Sequence, residues 1–160
     1  MPDIVVPLLD LVDHRPLLQR LEGEGIKIRH ARPWEQDALY KFILKHFDQR
    51  WVDETSVAFT NKPVSAVVAL DGDEIIGFAA YEVTAHAFFG PTGVNEAYRG
   101  RGIGKALLFE SLAGLRGLGY VYGFIGAPGP VDFYLKATKC MSLPEDYTSI
   151  YNSDRAVTIF

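Results

Sequence analysis

The sequence predicts an α/β fold, a mixed sheet with helices packed on it, and three features carry that prediction. Two apolar runs, residues 64–70 and 74–83, flank the triplet Asp71-Gly72-Asp73 and read as a hairpin with a tight turn. A strand-like run over 87–94 leads through a glycine-rich turn into a pattern with Ile103, Leu107, Leu108, Leu112 and Leu115 at helical spacing. A further strand over 120–125 follows that helix. Strands joined by helices in the middle of the chain, with hairpins on either side, indicate a mixed α/β sheet.

Residues 1–25 open with Ile4-Val5-Val6 and continue into an amphipathic stretch over 13–22, which Gly23 and Gly25 end. Asp13 is placed to cap a helix carrying Leu17, Leu18 and Leu21. This segment reads as an N-terminal extension that packs on its own domain or on a second copy of the chain, as in a homodimer; residues 26–160 form the domain proper. Within it, 26–29 alternates as a first strand. Pro33 suits the first turn of a helix with Leu39, Phe42 and Ile43 on its apolar face, ending near Phe47. A shorter helix with its approach loop is expected over 48–61, and the hairpin follows. The strand over 87–94 contains Gly90-Pro91, which a regular central strand does not tolerate because proline donates no ladder hydrogen bond. A bulge is the economical explanation, and it would part this strand from its neighbour near Thr92, Gly93 and Val94. After 120–125 come a glycine- and proline-rich turn (126–130), a short helix over 131–139 and a closing hairpin of 146–151 with 155–160.

At 160 residues with 48% apolar and 22% charged residues, the chain has the size and composition of one globular domain. A net charge of −4 gives no reason to expect nucleic acid as a partner. Cys140 is the only cysteine, which rules out an intrachain disulfide and suits a reducing compartment. With no apolar run of membrane-spanning length and no basic, then apolar, N-terminus, a cytoplasmic location and no membrane partner are expected.

Against the acidic background, Arg99, Arg101 and Lys105 gather three positive charges within seven residues and alternate with Gly100, Gly102 and Gly104. A glycine turn before a helix lets an anion approach main-chain N–H groups, while the cations and the helix dipole stabilise its charge. A P-loop would need glycine at position 99 and Ser or Thr at 106, where Arg99 and Ala106 stand. A dinucleotide fingerprint would need G-x-G-x-x-G and a carboxylate near the end of the next strand; neither is present.

The run Arg99-Gly100-Arg101-Gly102-Ile103-Gly104 fits [Q/R]-x-x-G-x-[G/A], and with Val94 five residues ahead it resembles the GNAT family of N-acetyltransferases. The resemblance is close over about a dozen residues and extends loosely in element order from Ile26 onward. It implies a mostly antiparallel mixed sheet with splayed central parallel strands and flanking helices, and acetyl-CoA as cofactor. The pantetheine arm would lie along Thr92, Gly93 and Val94. The pyrophosphate would sit on Arg99, Gly100, Arg101, Gly102, Ile103, Gly104 and Lys105. The implied activity is direct acetyl transfer to a primary amine of a small molecule or peptide, with an alternative of a non-catalytic acyl-CoA-binding module. An unrelated nucleotide-binding protein is a further rival.

Acetyl transfer needs an oxyanion donor, a proton for the departing thiolate and a neutral amine. A free main-chain N–H near Val94 would serve as donor. Tyr134 stands where the family commonly places its acid, and a phenol is protonated at neutral pH. Where the family usually has asparagine, after the fifth strand, this chain has Gly126-Ala127-Pro128. The base is open among Glu82, Glu54, His86, Asp132 and a chain of waters. Asp48, Asp53, Glu54, Trp51, Tyr147 and Tyr151 fall in the region where the acceptor would bind, and carboxylates beside aromatics suit a cationic amine. The histidines have no paired ligands at metal spacing, so no metal is expected. Cys140 reads as a small buried hydrophobe.

Overall fold

The computed structural model describes residues 2–152. Seven strands form one sheet: β1 (Ile4–Pro7), β2 (Ile26–His30), β3 (Ala66–Asp71), β4 (Glu74–Tyr81), β5 (Phe88–Val94), β6 (Tyr122–Ile125) and β7 (Met141–Ser142). Their order is β2-β3-β4-β5-β6-β1-β7, and every pairing is antiparallel except β5 with β6. The helices are α1 (Arg15–Gly23), α2 (Gln36–His46), α3 (Gln49–Ser56), α4 (Ile103–Gly117) and α5 (Val131–Ala137). No helix among the described residues is long and apolar enough to cross a membrane.

Strand alternation sorts the core into two layers. Val67 and Ala69 of β3 face a cluster with Leu21 and with Leu107, Leu108 and Leu112 of α4. Ala66, Val68 and Leu70 face a second cluster with Leu39, Phe42 and Ile43 of α2 and Val52 of α3. Helix α4 is buried along most of its length, and Gly114 leaves room for the Tyr81 ring, whose Cζ would stand 2.4 Å from any Cβ placed there.

The predicted bulge is present. The step from Ala79 to Tyr81 on β4 faces the longer step from Phe89 to Thr92 on β5, so one extra residue is carried around Gly90 and Pro91. Gly90 adopts φ +113°, outside strand geometry. On its other edge β5 pairs with β6 only at Phe88 and Phe89, opposite Phe124 and Ile125, and then diverges. The central parallel strands are therefore splayed.

One expectation needs correction. Residues 146–151 form no strand: Pro144 begins a turn closed by the Tyr147 N–H donating to its carbonyl at 3.1 Å, and a 3-10 turn follows over Ile150–Asn152. The sheet edge there belongs to β7, which pairs with β1; the predicted partner run 155–160 lies outside the described residues. The segment read as an extension is built into the sheet. Ile4, Val5, Val6 and Pro7 pair with Ile125, Phe124, Gly123 and Tyr122, because the edge of β6 away from the cleft would otherwise stay unpaired. Asp13 accepts from the Arg15 N–H at 3.1 Å at the start of α1, although the cap position itself is His14.

A buried polar pair ties β2 to β4. Tyr81 Oη and His30 Nε2 are 2.8 Å apart. Burial pushes the Tyr81 phenol up to about 12, so it donates to a neutral imidazole. Burial holds His30 below the usual histidine range, with Glu110 opposing that shift. A group that binds its proton less readily when folded stabilises the fold above its unfolded pKa and loses that contribution as pH falls. Stability is expected to drop as pH falls below about 6.5, and His30→Gln should flatten that drop; melting curves from pH 7.5 to 5 would check it, and an equal slope in the variant would reject the assignment.

Candidate functional site

Where β5 and β6 part they leave a cleft of about 990 Å³. One wall is β5 from Phe89 to Val94; the other is Ile125 with the turn through Pro130. Beyond Phe89, β5 has β4 on one edge and no strand on the other, so alternate peptide groups face the cleft and want a hydrogen-bonding ligand. The Thr92 hydroxyl is turned away, donating to the Phe78 carbonyl at 3.0 Å, which leaves the main chain of this residue for a ligand. The bulge lies at Gly90 and Pro91, upstream of Val94.

The glycine-rich turn enters the same cleft. A 3-10 turn over Glu96–Tyr98, capped by Asn95 Oδ1 accepting from the Ala97 N–H at 3.0 Å, carries the chain from β5 to Arg99. Gly100 (φ +80°) and Gly102 (φ +88°) take left-handed conformations that turn it into α4. The first turn of α4 has N–H groups with no intrahelical acceptor. A Cβ on Gly100 would meet nothing within 4 Å, and one on Gly104 only Val94 Cγ2 at 3.9 Å, so there is open room directly against the main chain. Tyr98, Arg99, Gly100, Gly102, Ile103, Gly104 and Lys105 line the cleft. Arg99 is oriented by its Nε donating to the Val94 carbonyl at 3.2 Å.

Arg101 does not line the cleft. Its guanidinium sits 3.6 Å from Glu24 and over the Tyr98 ring, while its carbonyl accepts from Arg20 Nη2 at 2.9 Å. Glu24 also takes Arg20 at 3.0 Å, so helix α1 braces the turn from outside. Sequence reasoning could not place Arg20, which lies 81 positions from its partner.

Tyr134 is 5% exposed, lies on the cleft and packs against Phe89 and Phe133. Burial pushes its phenol up to about 12, so it holds its proton at neutral pH. Among the described residues its hydroxyl has no hydrogen-bond partner.

No carboxylate or histidine is among the described residues lining the cleft, whose charged groups are Arg50, Arg99 and Lys105. That balance favours a polyanion. Glu82 is away from the cleft and committed: Oε1 accepts from the Ala87 N–H at 2.6 Å and Oε2 from the Tyr120 hydroxyl at 2.7 Å, which fastens the loop between β4 and β5. It is therefore not placed as a base. His86 is 89% exposed in its side chain and contacts Glu82 at 3.5 Å. Asp48 caps α3, and Asp53, Asp132 and Tyr147 are outside the lining. Glu54 reaches the cleft at one remove: its Oε1 accepts from Thr84 Oγ1 and, at 2.7 Å, from the hydroxyl of Tyr151, which does line it. Burial, the largest influence, raises the Tyr151 phenol, as does the Glu54 bond, so both hydroxyls donate to a carboxylate.

Phe47, Arg50 and Trp51 line the cleft at the junction of α2 and α3. Their signal in the sequence was the aromatic pair spaced four residues apart around Asp48, which marks the break between the two helices.

A sequence profile of the acetyltransferase (GNAT) family matches residues 28–128, more than half of the chain. Parted parallel strands beside a glycine-rich helix start define the same class, and the chain belongs to that family. No curated protein matches it. Among solved structures it is similar to a GCN5-related glucosamine N-acetyltransferase region of a fungal multi-domain GH3 β-N-acetylglucosaminidase, at TM-score 0.72 and 18% identity over 89% of this chain and 19% of that one. It is similar also to a GCN5-related N-acetyltransferase from Sphaerobacter thermophilus, at 0.69 and 22%, covering 89% of this chain and 48% of that one. A third is a GNAT family acetyltransferase from Brucella melitensis in complex with acetyl-CoA, at 0.53 and 20%, covering 77% and 91%. The chain thus spans about a fifth and about half of the first two. At these identities the likeness is one of fold.

Proposed function

We propose that this protein is an acetyl-CoA-dependent N-acetyltransferase that moves an acetyl group directly to a primary amine of a small molecule or peptide. The observation that carries the reading is the cleft itself: a long opening along the free edge of β5 that runs to an uncrowded, cationic helix start. The cleft-facing main-chain groups of the stretch Thr92, Gly93 and Val94 would meet the pantetheine arm. Gly100, Gly102, Ile103 and Gly104, with Arg99 and Lys105, would hold the pyrophosphate, and Arg101 would act from outside by fixing the turn. When bound, acetyl-CoA supplies an activated acyl group. Membership in the family and the Brucella melitensis relative's acetyl-CoA complex support the choice of carrier.

Tyr134 would give its proton to the leaving thiolate; burial keeps the phenol protonated, and among the described residues no partner competes for its hydroxyl. On the acceptor side, the Tyr151 hydroxyl is the link between the cleft and a carboxylate. An ammonium losing its proton there would pass it through Tyr151 Oη to Glu54, whose hydrogen-bonded Oε1 takes it up. Glu82 has no part in this arrangement.

Two measurements test the reading together. Acetyl-CoA should raise the melting temperature well beyond the effect of adenosine triphosphate. Free thiol should then be released from acetyl-CoA with at least one member of a mixed amine library, the products being identified by mass spectrometry. Protection without thiol release from any amine would instead support a non-catalytic acyl-CoA-binding module, and equal protection by adenosine triphosphate would reject the carrier.

A further inference from the structure

We infer that Phe47 limits the acyl group this protein transfers to two carbons, an inference that rests on the acyl-carrier reading above. Phe47 is the residue at which α2 ends, its N–H donating to the Ile43 carbonyl at 2.8 Å. Its ring lies against Gly93: a Cβ built on that glycine would stand 2.2 Å from Cζ, 2.6 Å from Cε2 and 2.9 Å from Cε1. The outer edge of the ring thus meets the main chain of β5 at the middle of the three residues proposed to hold the pantetheine arm, which ends in the thioester.

The ring is wedged. Trp51 lies 4.9 Å away between ring centroids, Phe78 6.0 Å and Phe42 6.2 Å. Phe78 and Phe42 are core residues, so Phe47 cannot swing aside without opening the layer beneath it. A methyl group asks little room of such a wall. Each further methylene would have to displace the ring or turn outward into water. Truncating the ring would leave apolar space continuous with the cleft and bounded by Trp51 and Phe78, where burying one methylene is favourable by about fourfold.

The test is calorimetric binding of coenzyme A, acetyl-CoA and butyryl-CoA to the wild-type chain, to Phe47→Ala and to Phe47→Leu, the last retaining the fold if full truncation does not. The wild-type chain should bind acetyl-CoA more tightly than butyryl-CoA. The affinity ratio of butyryl-CoA to acetyl-CoA should rise about tenfold in Phe47→Ala and by less in Phe47→Leu, with coenzyme A as the reference for any general change in carrier binding. A ratio unchanged in both variants, or a wild-type chain that takes butyryl-CoA as well as acetyl-CoA, overturns the inference while leaving the carrier reading intact. A wild-type chain that binds none of the three overturns the carrier reading itself.

Discussion

Tyr134→Phe is expected to lower acetyl-transfer turnover by about ten- to a thousandfold, the range for losing a positioned general acid, while acetyl-CoA affinity stays within about twofold. The change removes one oxygen and nothing else. The ring is buried against Phe89 and Phe133, and the hydroxyl makes no hydrogen bond among the described residues, so no structural contact is broken. The residue's raised pKa makes it a weak acid in isolation, but one that is fully protonated before each turnover. Steady-state kinetics with an amine found in the thiol-release screen would check this. Unchanged turnover would remove Tyr134 from the mechanism, and a loss confined to KM would give it a binding role only.

Gly102→Val should abolish protection by acetyl-CoA, and the structure gives a reason different from the one the sequence suggests. From the glycine turn alone, a branched side chain would act by filling the place of the anion. The position instead has φ +88°, which a β-branched residue does not adopt without strain, and its Cβ would stand 2.7 Å from Arg20 Nη2 and 3.2 Å from Leu17 Cδ1. The Arg20 guanidinium would be pushed off the turn, which then loses its brace as well as its shape, and the left-handed backbone costs a valine about 1–3 kcal/mol. Gly104→Ala supplies the contrast. Its backbone is helical and its Cβ would meet only Val94 Cγ2 at 3.9 Å, so the melting temperature of the unliganded protein should hold. The signature admits alanine at this position, so the methyl group should be accommodated. Acetyl-CoA affinity should stay within about threefold of the wild type, well under the ~1.4 kcal/mol of a tenfold change. Titrations by calorimetry would read both; a Gly104→Ala protein that loses acetyl-CoA as completely as Gly102→Val would argue against the distinct part assigned to Gly102.

The parts of this site that were legible in the sequence are those whose physics is local. Gly90-Pro91 announces an interrupted ladder, Asp71-Gly72-Asp73 a tight turn, and the glycines from 100 to 104 a helix start open to an anion, because each depends on the conformational limits of a few neighbouring residues. What could not be read depends on partners far along the chain. Arg101 looks like a third phosphate cation until Glu24 and Arg20 are brought beside it. Glu82 looks like a free carboxylate until Tyr120 and the Ala87 N–H take both its oxygens. Gly93 looks like one more flexible residue, yet it is needed because the Phe47 ring lies on it. Residues 146–151 have strand composition, but Pro144 turns the chain before they can join a ladder.

The first strand carries a consequence for where this domain begins. The far wall of the cleft, β6, is joined to β5 at two positions and to β1 at four, so it hangs from the N-terminal residues more than from the strand it faces. The family profile matches 28–128 and leaves β1 out. A protein trimmed to that stretch would keep the residues proposed to hold the pantetheine arm and pyrophosphate but lose Tyr134, and would leave bare the edge of β6 that β1 covers, a surface prone to pairing with other chains. The stretch that marks the ancestry of this chain is therefore not the smallest piece able to hold the cleft open.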